Sequence, residues 1–134
     1  NDLTEQQFRK ALESETRRQI QAGPGRDNFA PKAKGICCSE MNEQQISYLR
    51  TLINAWLGNV PKNSARRQMI EFEKEFDQTY FAWHGSRKKG SDVSYVIQGP
   101  SLLIEFAYQD LGGDPLAHLH TQFRNLKNDY GKAH

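Results

Sequence analysis

Up to Tyr80, apolar residues recur mostly at intervals of three and four, and after it they recur at intervals of two. Those are the periods of helix and strand. The first helix is capped by Thr4, with Gln7 three residues on to close a capping box, and Leu3 and Phe8 stand as a staple across it. Phe8, Leu12 and Ile20 give it a thin apolar stripe, and Gly23-Pro24-Gly25 is expected to lie beyond its end. Residues 27–40 hold Pro31 and Gly35 and no periodicity, so they read as a connector. Met41-Asn42-Glu43-Gln44-Gln45-Ile46 then repeats the Leu3–Phe8 entry almost letter for letter. An internal repeat and convergence on one capping chemistry explain this equally well, and two copies are too few for a solenoid. Ile46, Leu49, Ile53 and Trp56 or Leu57 follow at helical spacing, as far as Gly58. A third helix is predicted from an Asn63 or Ser64 cap, with Ala65, Met69, Phe72, Phe76 and Tyr80 as its stripe. A stripe of Phe and Met is a core face, and a connection of about five residues makes helices two and three an antiparallel pair.

From Tyr80 the pattern changes. Tyr80-Phe81-Ala82-Trp83 suggests an extended segment, in which Trp83 reads as core, with a pocket wall as the alternative. Val93, Tyr95 and Ile97 alternate, and so do Leu102, Ile104, Phe106 and Tyr108, with Gly99-Pro100 kinking the chain between them. Residues 109–115 are a loop, Ala117–Arg124 a third strand and 128–131 a turn. The expected fold is α+β: three N-terminal helices packed on a small, mainly antiparallel sheet. Residues 1–134 form one domain, mainly helical to residue 80 and mainly strand and loop from 81.

The candidate chemistry lies in the last third. Alternate residues of a strand share a face, so His118 and His120 point the same way. A hairpin of Ser101–Tyr108 with Ala117–Arg124, symmetric about Gly112-Gly113, sets Glu105 opposite His120 and Ala107 opposite His118. Glu105 stands among Leu102, Leu103, Ile104 and Phe106, and a buried carboxylate needs a cation, a metal or a proton. His118, His120 and Glu105 are therefore the expected metal ligands, with Glu105 as third ligand or general base. Two imidazoles and a carboxylate suit zinc, iron(II) or copper(II). Arg124 is placed to clamp an anionic substrate, and Asp129 to hold an imidazole from behind. The plain alternative is a wet sheet face carrying polar residues, with Glu105 paired to Arg124.

Phe81-Ala82-Trp83-His84-Gly85, Gly99-Pro100-Ser101-Leu102-Leu103-Ile104-Glu105-Phe106, His118-Leu119-His120, Arg124 and Asn128-Asp129-Tyr130-Gly131 resemble the C-terminal part of a protein family catalogued as domain of unknown function 3500. The resemblance is close from Gln44 onward and loose before it. It implies no established activity. It does imply longer chains, so this one is expected to be the C-terminal part or a processed piece of a longer protein, whose N-terminal part or another chain is its partner.

Charge and composition remove some classes. Net charge is +2, with 18 basic and 16 acidic residues interspersed, which is no nucleic-acid footprint. Arg87-Lys88-Lys89, the one basic run, reads as a solvated loop. No apolar run approaches the ~20 residues of a membrane span. Mean hydropathy is −0.81, which fits a chain that packs against something else, or a long polar helix. Cys37 and Cys38 are adjacent, so they cannot staple distant segments. They read as reduced thiols, with a redox switch or a soft-metal pair as the sharper alternative, and they leave the compartment open. Ser101 has no G-x-S-x-G elbow around it, and no spacing ties a cysteine to a histidine. The expected function is a metal-binding domain, or a metal-dependent enzyme acting on a small or anionic substrate. The alternative is a non-catalytic interaction module.

Overall fold

The computed structural model describes residues 3–16, 18–26, 29–108 and 118–128. Three helices, α1 (Glu5–Ala11), α2 (Glu43–Trp56) and α3 (Lys62–Glu73), accompany a six-stranded sheet. The strands are β1 (Leu12–Ser14), β2 (Ile36–Cys37), β3 (Tyr80–His84), β4 (Ser94–Gln98), β5 (Leu102–Tyr108) and β6 (Leu119–Asn125). Strands β3 to β6 form an antiparallel meander. On the other edge of β3 lie β1, parallel to it at Trp83 and His84, and β2, antiparallel at Tyr80 and Phe81. The fold is α+β, as the change of period at Tyr80 implies.

Each strand sends alternate side chains to opposite faces. One face carries Ile97, Leu102 and Ile104, which pack with Leu49, Ile53, Leu57, Met69 and Phe72 of the helical layer into the main core. Phe81, Tyr95 and Phe106 lie on this face too, and their rings stack across three strands. The other face carries Ala82, Val96 and Leu103, packed on Ala22. Residues 18–26 and 29–31 therefore cover the second face as an irregular strap.

Both capping boxes form, at Thr4 with Gln7 and at Asn42 with Gln45. They also interlock: Gln7 Nε2 donates to Gln45 Oε1 at 3.1 Å, and Gln45 Nε2 returns a bond to Gln7 Oε1 at 2.8 Å. The repeated hexapeptide thus joins two helix entries to one another.

Three expectations need correction. The first helix ends at Ala11, because Leu12–Ser14 leaves to pair with β3. A helix with so thin a stripe has little packing to extend it. The connector contains β2 and a 3-10 turn over Cys38–Glu40. The third helix starts at Lys62, ahead of Asn63 and Ser64, because Pro61 already accepts the amides of Ser64 (2.8 Å) and Ala65 (2.9 Å). It stops at Glu73, leaving Phe76 in a 3-10 turn and Tyr80 in β3. The Gly99-Pro100-Ser101 turn is held by Glu75, whose Oε2 accepts the Ser101 amide at 2.9 Å. A Cβ on Gly99 would run into the Thr79 hydroxyl. No helix among the described residues is long and apolar enough to cross a membrane.

Candidate functional site

His118 precedes β6 and His120 lies in it. The two imidazoles share a face, with ring centroids 4.8 Å apart and Nε2 atoms 2.8 Å apart. One nitrogen donates and the other accepts. The rings are half-buried at one end of the strapped face, on the edge strand of the sheet.

The expected register is off by two residues. Glu105 lies opposite Gln122, and His120 opposite Ala107. A slip of two preserves every side chain's face, so the alternation alone cannot choose between the two registers. The observed one pairs Ile104 with Phe123 on the apolar face. Glu105 remains on the face of the histidines, but diagonal to His120 instead of across from it.

Glu105 is 1% exposed, so it does not sit on a wet face. Its carboxylate accepts the Gln21 amide at 3.1 Å on each oxygen and the Ala22 amide at 2.8 Å, and Arg18 Nη2 lies 2.9 Å away. The cation that the buried carboxylate required is therefore Arg18, on the strap. Arg124 is also buried, and its Nη1 donates to the carbonyls of Phe29 (2.7 Å) and Arg26 (3.4 Å). The Ser94 hydroxyl accepts the Arg18 amide at 2.7 Å, and Gln98 Nε2 donates to the Pro31 carbonyl. These four sheet side chains supply partners to an irregular backbone that makes no ladder of its own. Asp129 lies outside the described residues.

Across the same face, His84 pairs in register with Ser94. The Ser14 hydroxyl donates to the Thr16 carbonyl and lies 3.0 Å from His84 Nδ1, so the ring proton sits on Nδ1. The buried Nε2 has no partner among the described residues. Burial, and then the Arg18 charge, push the His84 pKa down to about 4. Both cysteines are buried and free. Burial, and then neighbouring Cys37, push the Cys38 thiol up to about 12, so it is a poor nucleophile and a poor metal ligand at neutral pH. Among the described residues, no group of three or more His, Cys, Asp or Glu side chains is placed to hold a metal ion.

Sequence reasoning missed two features. Arg18 has no spacing that marks it, because a strap has no period. The other is a cavity of about 370 Å³ between α1, α2 and β3, whose lining includes Phe8, Leu49, Leu52, Phe81, Trp83 and Arg87. Trp83 as a pocket wall and the two helix entries were its only signals.

No curated protein and no solved structure matches the chain. The family model described as "Protein of unknown function (DUF3500)" matches residues 1–132, nearly the whole chain, and the chain belongs to that family.

Proposed function

We propose that this chain is a metal-binding domain in which His118 and His120 grip one ion. The observation that carries the reading is the convergence of their Nε2 atoms, 2.8 Å apart. With the donor ring's proton moved from Nε2 to Nδ1, both Nε2 lone pairs are available to one ion. The 2.8 Å spacing is the length of an N–H···N hydrogen bond, so it shows convergence of the two rings and does not choose a metal. Copper(II) heads the affinity order for nitrogen ligands, ahead of nickel(II) and zinc, which makes it the ion expected to bind tightest. Glu105 is not assigned to the metal, because Arg18 and two backbone amides engage its oxygens. With two protein ligands, the remaining positions are open to water or to a small anionic substrate.

Equilibrium dialysis against copper(II), nickel(II) and zinc, each in turn, tests this. Wild type should retain about one copper per chain, and His118→Ala and His120→Ala each lose affinity at least about tenfold. Zinc retention matching copper would overturn the metal assignment.

A second reading, a non-catalytic module that docks on another part of a longer chain or on another protein, is favoured by one observation. Glu105, Arg124, Ser94 and Gln98 all hydrogen-bond the strap backbone, which is a structural use of the polar residues. Under this reading all three proteins emerge from dialysis without metal.

A further inference from the structure

The second site lies on the opposite face of the sheet from the histidines and does not depend on the metal reading. We propose that the cavity between α1, α2 and β3 binds a small amphipathic carboxylate, with its apolar chain inside and its carboxylate at Arg87. The cavity, at about 370 Å³, is at the small end of the ~300–1,000 Å³ range of ligand pockets. Phe8, Leu49, Leu52, Phe81 and Trp83 give it apolar walls, and Arg87 is the only charged residue of the lining. One cation on an otherwise apolar wall is complementary to one negative group on an apolar body.

Arg87 is already oriented. Its guanidinium lies 4.3 Å from the centroid of the Phe8 ring, and Nη1 is 2.8 Å from Glu5 Oε2. The Glu5 side chain is largely exposed, so this pair is a weak one that a ligand carboxylate can share or replace. The walls are preformed as well. The interlocked Gln7 and Gln45 amides fix α1 against α2, and the Trp83 indole is pinned by its bond to the Gly85 carbonyl at 3.0 Å. A preformed site avoids the ordering cost of binding. An extended peptide suits the lining less well. Besides Arg87 the only polar side chains there are Gln45, engaged in the capping boxes, and Tyr48. Most peptide N–H and C=O groups would go unpaired.

The chain has two tryptophans, so Trp56→Phe leaves Trp83 as the sole reporter. In that background, octanoate and octanol are titrated while Trp83 fluorescence is followed. We expect a saturable change for both, with octanoate binding about fivefold tighter than octanol, the size of a partly exposed charge contact. Arg87→Gln should abolish that difference, and Leu52→Trp, read by competition dialysis with labelled octanoate, should abolish binding by filling the cavity. The proposal is overturned if octanoate gives no saturable change. It is also overturned if Leu52→Trp, folded by circular dichroism, binds octanoate as well as its parent, if Arg87→Gln leaves the preference intact, or if an amphipathic helical peptide occupies the cavity and octanoate does not.

Discussion

Single residues on the strapped face carry more than their positions suggest. Glu105→Gln keeps the shape and removes the charge that faces Arg18, and it sets an amide among backbone donors. The cost should be about 2–4 kcal/mol, read as a lower urea midpoint at unchanged slope. A loss below about 0.5 kcal/mol would show that the strap is held elsewhere. His84 gives a pH signature. Its pKa falls from 6.5 to about 4 on folding, so between those values the unfolded chain binds more protons than the folded one. Stability should therefore drop as pH falls through that window, by up to about 2–3 kcal/mol from this residue. His84→Asn keeps a donor for Ser14 and should flatten that part of the pH–stability curve. An unchanged curve would mean that the ring is solvated. That His118 and His120 share a face was readable, because HxH in an extended segment needs only the two-residue period. Arg18 was not readable, because its role depends on where a strap without periodicity crosses the sheet.

At the scale of elements, local chemistry was read better than extent. Thr4 with Gln7 and Asn42 with Gln45 cap their helices as their spacing implies, yet the first helix is only seven residues long. Capping signals mark a beginning, whereas an end is decided by competition with another structure, here the pairing of Leu12 with Trp83. The hairpin shows the same limit. Alternation assigned each β5 and β6 side chain to a face correctly, but a two-residue slip costs alternation nothing, and Glu105 moved from His120 to Gln122. The interlocked boxes make a testable unit. Gln7→Ala and Gln45→Ala should each destabilise by about 1 kcal/mol, and a double-mutant cycle should give a coupling of about 0.5–1.5 kcal/mol. Strict additivity would mean that the two amides act only on their own helices. Gly99→Ala, pressing on Thr79 in the turn that Glu75 holds, should cost about 1–3 kcal/mol in the same denaturation assay.

For the whole molecule, the switch from period 3.6 to period 2 at Tyr80 carried the α+β class. It could not show that the sheet is covered on both faces, by helices on one and by an irregular strap on the other. The strap is fastened by buried polar side chains, with a small apolar cluster beneath it. In the metal-binding account, the strapped half is scaffold and the chemistry lies at the β6 edge. Electron paramagnetic resonance of the copper(II)-loaded protein tests that account most directly. Wild type should show superhyperfine coupling to two imidazole nitrogens, and His118→Ala or His120→Ala should show one. A nitrogen count that stays the same in the double variant, or copper that remains entirely in solution, would contradict it.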